Sequence, residues 1–237
     1  MSTTPSPTSF DSHALDYERT LDQGLAASGE TAQFFARARI AWLARRFAEL
    51  GFSPDSILDY GCGTGNSASF FLDILHAKSV TGVDPSPKSL EVARSKHASL
   101  PAEYLLVEDY EPAERVDLVF CNGVFHHIPV MDRPQALRFI SNSLRPDGLF
   151  AFWENNPWNP GTRYVMSNIP FDHDAITITP GKAKSLLRMA GFNLISVDHC
   201  FFFPAFLKAL RWLEPYLKNV PLGGQYLVLC RKNRRRS

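Results

Sequence analysis

A strand-like apolar run ending in Ile57-Leu58-Asp59-Tyr60 passes into three alternating glycines, Gly61-Cys62-Gly63-Thr64-Gly65, and then into a helical pattern from Asn66 to His76. Strand, glycine turn and helix form the opening unit of a nucleotide-binding α/β sheet. Glycine serves in such a turn because it tolerates positive φ and because a backbone without Cβ can approach a ligand closely. The spacing differs from the dinucleotide fingerprint G-x-G-x-x-G: the third glycine arrives one residue early at Gly65, and Asn66 occupies the place where that fingerprint has glycine.

Asp59 stands two residues before the first glycine, and this D-x-G-x-G-x-G arrangement resembles the first motif of class I S-adenosylmethionine-dependent methyltransferases. The resemblance implies that Asp59 and the loop residues Gly61, Cys62, Gly63 and Gly65 hold the methionine end of S-adenosylmethionine, which is zwitterionic and carries no phosphate. A β-branched run, Ser79 to Asp84, ends in an acid followed by Pro85, and both are expected beside the cofactor. A carboxylate at the tip of a second strand can accept both hydroxyls of a ribose, whereas the competing reading makes Asp84 the cap of a helix starting near Pro85 and Ser86. Glu103 to Val107 reads as the third strand, followed by Glu108-Asp109-Tyr110. By resemblance Asp109 meets the adenine amine and Tyr110 stacks on the ring; a solvated turn is the alternative.

Val116 to Cys121 reads as a fourth strand, and Asn122-Gly123-Val124-Phe125-His126-His127-Ile128-Pro129 leaves its carboxyl end, the edge where open α/β sheets bind ligands. Cys121 and Asn122 are expected beside the cofactor. His126 is the candidate general base, because histidine has the unperturbed pKa nearest neutrality. A structural role with a ring nitrogen bonded to backbone competes with it. A metal pair is not expected, since neighbouring residues point apart and no helix spacing of ligands is present. The triplet Asp172-His173-Asp174 reads as a turn.

A helix from Arg133 to Leu144 and an Arg145-Pro146-Asp147-Gly148 turn lead to a fifth strand, Leu149 to Glu154. The following segment, through Tyr164, carries too many prolines and asparagines for a regular element, and it is expected to wall an acceptor pocket. Trp153, Glu154, Asn155, Trp158 and Arg163 there, with Tyr17 from the N-terminal helical stretch, are the substrate-contact candidates. After a helix over 182–190, two late strands, 192–203 and 225–232, resemble the antiparallel pair that completes the methyltransferase sheet. Between them Phe206, Leu207, Leu210, Leu213 and Leu217 share a face opposite Lys208, Arg211 and Lys218. That pattern suits core packing, or a peripheral membrane contact of the C-terminal third.

The resemblance covers roughly residues 10 to 232 and implies a Rossmann-like α/β fold: a seven-stranded mixed sheet with the last strand antiparallel, helices on both faces and an N-terminal helical lid over 10–50. Residues 1–9 are expected to be a disordered tail and 233–237 a basic tail. With 237 residues and a formal charge of +1, the chain can bury one sizeable core and shows no general nucleic-acid signal. The four cysteines form no C-x-x-C pair, so neither zinc nor disulfides are expected, and reduced thiols point to the cytoplasm. The function implied is methyl transfer from S-adenosylmethionine to a small-molecule or lipid-like acceptor. An NAD-dependent oxidoreductase and a non-catalytic cofactor-binding subunit are the alternatives.

Overall fold

The computed structural model describes residues 17–172 and 174–233, with side chains from Arg19 onward. The tail expected over 1–9, residues 234–237 of the tail expected over 233–237, the side chain of Tyr17 and residue His173 lie outside the described residues. Seven strands form one sheet in the order β3-β2-β1-β4-β5-β7-β6: β1 Ser56–Tyr60, β2 Ser79–Asp84, β3 Ala102–Leu106, β4 Val116–Asn122, β5 Leu144–Asn155, β6 Phe192–Cys200 and β7 Gln225–Lys232. Strands β1 to β5 run parallel, and β7 is antiparallel to both β5 and β6. The order reverses between β1 and β4, and at such a switch point the strand ends splay apart and leave a crevice.

Alternation along the strands assigns each residue to one of two cores. Ile57, Leu118, Phe120, Ala151 and Trp153 face helix α2, Ala32–Leu50, and helix α3, Ala68–Leu75, through Ile40, Leu43, Phe47 and Phe71. Their neighbours Leu58, Val119, Cys121, Phe150 and Phe152 face helix α5, Arg133–Ser143, and helix α7, Pro180–Met189, through Leu137, Ile140, Ala183 and Leu187. Burial on both faces is what the near-continuous apolar runs of these parallel strands require.

Helix α4 spans Pro87–Lys96, and its cap is Ser86, whose hydroxyl accepts the Ser89 amide while Pro87 takes the first helical position. Asp84 is therefore free of the capping role that its place before a proline suggested. Helix α6, Pro160–Ser167, corrects a second expectation. The Asn159-Pro160 pair, read as a breaker, is a helix start: the Asn159 side chain accepts the Thr162 amide, and Pro160 has no N–H to lose.

Helix α1, Tyr17–Leu25, and α2 form the N-terminal segment, and α2 is anchored rather than loose. Trp42 Nε1 donates to Asp198 Oδ2 at 3.0 Å, Arg46 Nε meets the same oxygen at 3.1 Å, and Ile40 and Leu43 are fully buried. The stretch between β6 and β7 departs most from expectation. It forms a 3₁₀ helix, Ala205–Leu213, and one turn of helix α8, Glu214–Leu217; none of residues 205–213 is buried. On the predicted face Phe206 is 81% exposed and Leu207 and Leu210 are exposed, whereas Leu213 and Leu217 are half-buried, so core packing accounts for only the second half of it; Trp212 and Tyr216 are exposed beside it. No helix among the described residues is long and apolar enough to cross a membrane.

Candidate functional site

The glycine loop folds back on the end of β2. The Gly61 and Cys62 amides both donate to Val83 O, at 2.8 and 3.1 Å, and Gly65 N donates to Cys62 O at 3.0 Å. Gly61 has φ +75°, and a Cβ there would lie 2.4 Å from Val124 on the turn after β4, so the loop depends on glycine both for its conformation and for its packing. At Gly63, with φ +52°, a Cβ would meet nothing within 4 Å, and the open space above it is where a ligand can approach the backbone.

Asp84 links loop and strand. Its Oδ2 accepts the Gly63 amide at 2.9 Å and its Oδ1 accepts the Ser86 amide at 2.9 Å, with the residue itself buried. Asp59 is buried on the neighbouring strand; burial first, and then the charge of Asp84, pushes its pKa up to about 7, with Arg39 acting in the opposite sense. A carboxylate so placed favours a cationic partner, and the ammonium of a methionine group is one. Among the described residues, buried polar atoms without a hydrogen-bond partner at this edge include Thr64 Oγ1 in the loop and Asn122 Oδ1 at the end of β4. Buried polar atoms are ordinarily paired, so these mark a site completed by a ligand. The residues present thus fit S-adenosylmethionine. Thr64 was absent from the candidates because a hydroxyl within a glycine loop carries no signal in sequence beyond its place.

Other cofactor candidates are dispersed. Cys62 and Cys121 are buried thiols whose pKa burial raises well above the ordinary value, so they act as small apolar side chains. Pro85 and Asp109 are exposed at the same edge of the sheet. Tyr110 does not stand over the loop: its ring lies 5.5 Å from that of Phe139, and its hydroxyl interacts with Ser143 at the far end of α5. Packing on Phe139 of α5 engages the ring expected to stack on adenine.

A cavity of about 480 Å³ opens at the ends of β4 and β5, lined from α1, α2, the turn after β4, α6 and the segment after β6. Phe34, Phe35, Phe201, Phe202 and Phe203 form an aromatic wall, extended by Met166 and Ile169. Asn122, His126, His127 and Asp172 form the opposite, polar end. Asn155 and Arg39 join them, tied through Gln225: Arg39 Nη1 donates to Gln225 Oε1 at 2.9 Å, and Gln225 Nε2 donates to Asn155 Oδ1 at 2.8 Å. The wall after β5 is held by its asparagines. Asn156 Nδ2 donates to Pro221 O and Gly223 O, Asn159 Nδ2 to Leu222 O, and Thr162 Oγ1 to Gly224 O.

Of the substrate-contact candidates, Asn155 lines this cavity and four others do not. Trp153 is fully buried and stacks on Phe201, with centroids 6.1 Å apart, because its strand position faces the core. Trp158, before α6, is 50% exposed and Arg163, on α6, is exposed; neither lines the cavity. Glu154 is buried and turned inward to the chain itself. Its Oε1 accepts the Phe125 and His126 amides, at 2.9 and 3.3 Å, and its Oε2 lies 2.6 Å from His126 Nδ1. Glu154 is thus a positioning residue that shapes the turn after β4.

His126 is buried between two carboxylates, its Nε2 3.5 Å from Asp172 Oδ1. Burial opposes its charge, but Glu154 and Asp172 outweigh burial and raise its pKa to about 10. The imidazole therefore holds its proton at neutral pH and is not a free base there, contrary to the expectation drawn from its ordinary pKa. The geometric argument against paired histidines fails too. Neighbouring side chains diverge in a strand, but in this turn the His126 and His127 rings lie 4.1 Å apart, and His127 Nε2 is 3.3 Å from Asp172 Oδ1. Asp172, read as a turn residue, is buried and held below the usual carboxylate range by the two histidines against the opposing effect of burial.

Residues 57–148 match the model of the methyltransferase domain family. The chain is 26% identical over 194 residues to the trans-aconitate 2-methyltransferase of Escherichia coli O157:H7, covering 75% of each chain. A SAM-dependent methyltransferase of Thermotoga maritima shares the fold with a TM-score of 0.65 at 18% identity, over 94% of this chain and 98% of that one. The plantazolicin methyltransferase BpumL, solved in complex with SAH, shares it with a TM-score of 0.64 at 14% identity, over 98% and 92%.

Proposed function

We propose that this chain, a class I S-adenosylmethionine-dependent methyltransferase, methylates an oxygen of a small molecule that has an apolar body and a polar head. The observation that carries this reading is the division of the cavity into an aromatic wall, Phe34, Phe35 and Phe201 to Phe203, and a polar end, Asn122, His126, His127 and Asp172. A planar or aliphatic body lies against the first, and the nucleophile faces the second beside the glycine loop.

S-adenosylmethionine, when bound, supplies a methyl group already made electrophilic by its sulfonium. What remains for the chain is to hold, align and dry the reactants. In this reading Asp59 and the Thr64 hydroxyl take the methionine end, Asp84 takes the ribose, and Asn122 offers its unpaired carbonyl oxygen between cofactor and acceptor. The Arg39–Gln225–Asn155 chain fixes the acceptor wall to α2, which keeps water out of the reacting end.

A small polyanion suits this cavity less well. The guanidinium groups in its lining are engaged, Arg39 with Gln225 and Arg211 with Glu30 at 2.8 Å, and Glu30, Asp172 and Glu214 bring carboxylates to the same lining. The decisive experiment incubates the protein and S-adenosylmethionine with a panel of hydroxylated aromatic and aliphatic compounds and with trans-aconitate, scored by mass spectrometry. Methyl ethers of the apolar compounds are expected; methylation confined to trans-aconitate would overturn the reading. The exposed Phe206, Trp212, Tyr216 and Leu222, together with exposed Lys208, lie along the segment that closes the cavity and support delivery of a lipid-like acceptor from a membrane surface.

A further inference from the structure

We infer that His126, His127 and Asp172 form a binding site for one divalent first-row transition ion, with Glu154 behind it and an open coordination position facing the acceptor cavity. One ligand atom from each of the three lies within 4.8 Å of the other two. The Nε2 atoms of His126 and His127 stand 3.5 and 3.3 Å from Asp172 Oδ1. With metal–ligand bonds of about 2.1 Å, the edge of a coordination tetrahedron is about 3.4 Å, so both spacings already match an ion at the centre.

The ligands are held before any ion arrives. Glu154 Oε2 takes the Nδ1 side of His126 at 2.6 Å, which directs the Nε2 side towards Asp172. This carboxylate–imidazole arrangement is the usual support of a metal-bound histidine. Ile176 N donates to His126 O at 2.8 Å, Ala175 N donates to Asp172 O at 3.1 Å, and Arg133 ties the two segments by donating to Ile128 O and Ile176 O. Two carboxylates buried together call for positive charge, which a divalent ion supplies in one step. Two imidazoles and one carboxylate suit zinc, iron or manganese better than magnesium, whose preference is for oxygen.

Three protein ligands leave a fourth position, and the cavity lies on that side because all three residues line it. The inference rests on the methyl-transfer reading for its consequence: the acceptor is then an alcohol or phenol whose oxygen binds the ion. Coordination makes the hydroxyl more acidic, and its proton passes to bulk solvent as the acceptor enters and binds the ion, before the methyl transfer. An oxygen lone pair forms the new carbon–oxygen bond as the methyl–sulfur bond breaks. The bonding pair stays on sulfur and leaves a neutral thioether.

The test needs neither acceptor nor cofactor. Full-length protein stripped with EDTA is titrated calorimetrically with zinc chloride, and its visible spectrum is recorded with one equivalent of cobalt(II). One equivalent of zinc at micromolar affinity or better is expected, with the intense d–d bands of four-coordinate cobalt. His127→Gln and Asp172→Asn should each weaken zinc binding about tenfold or more, and Glu154→Gln by about 10- to 100-fold, while melting temperature and S-adenosylmethionine affinity report that the variants are folded. Absence of a stoichiometric zinc site in the parent, or equal zinc affinity in parent and folded variants, overturns the inference. A failed methylation screen with an intact zinc site would count against the acceptor reading alone.

Discussion

Asp59→Asn should remove most of the pH dependence of S-adenosylmethionine binding between pH 5.5 and 7.5. Asp59 is 5% exposed, and burial together with Asp84 raises its pKa to about 7. Binding of an ammonium group requires the ionised carboxylate, so affinity should follow the ionised fraction. From pH 5.5 to 7.5 that fraction rises from about 3% to about 75%, a gain of about 25-fold in affinity, or about 1.9 kcal/mol. The asparagine keeps an acceptor but no charge. It should bind about 10- to 100-fold more weakly than the parent at pH 7.5, the value of one charge-assisted hydrogen bond, and only a few-fold more weakly at pH 5.5. The same shift has a stability sign. A carboxyl whose folded pKa lies above its unfolded value of 3.8 holds an extra proton in the native state between pH 4 and 7, so the free protein loses stability as pH rises through that window. The asparagine variant should lack that loss and be the more stable protein at pH 7.5 in the absence of cofactor. Isothermal titration in buffers of different ionisation enthalpy measures affinity and proton release together. Equal slopes of affinity against pH in parent and variant, or no proton release below pH 7 in the parent, would refute the assignment of Asp59 to the ammonium.

Gly61→Ala should cost more than a routine glycine replacement, because φ is +75° and the new methyl would meet Val124 at 2.4 Å; urea denaturation should show a loss of about 2–4 kcal/mol and cofactor affinity should fall. Glu154→Gln leaves an amide facing His126 and breaks a buried pair, so unfolding free energy should drop by about 3–5 kcal/mol, an effect absent if the turn after β4 were held by backbone alone. Asn159→Ala removes the cap of α6 and the bond to Leu222 O, for a loss of about 1–2 kcal/mol and a KM for acceptor raised more than kcat is lowered. Replacing Phe206 and Trp212 together by serine should abolish co-sedimentation with anionic vesicles while the melting temperature stays within a few degrees; unchanged sedimentation would argue against a membrane-facing role.

Those perturbations divide between features that were legible in the chain and features that were not. The β-strand runs were legible because parallel strands buried on both faces leave uninterrupted apolar sequence, and the glycine loop because only a backbone without side chains can make that turn. Asp59 and Asp84 could be picked out by their distance from that loop. Trp153, Trp158, Arg163 and Glu154 were placed by proximity to the right strand end, but proximity in sequence does not say which way a residue points. The two-residue alternation of β5 sends Trp153 into the core, and a bond to the next turn draws Glu154 inward. Asn159 misled for a local reason, since the residues that end one element also start another.

What the amino-acid sequence determined by itself is the order of the strands, the glycine loop and the acids at its rim, all set by local backbone requirements and short-range patterning. Only the tertiary structure decided the acceptor end. Asp172 lies 45 residues beyond His127, yet Arg133 and the Ile176 amide bring its carboxylate within 3.3 Å of that ring. Such a cluster depends on long-range contacts that no local pattern encodes, and the charge state of His126 follows from those contacts rather than from being a histidine.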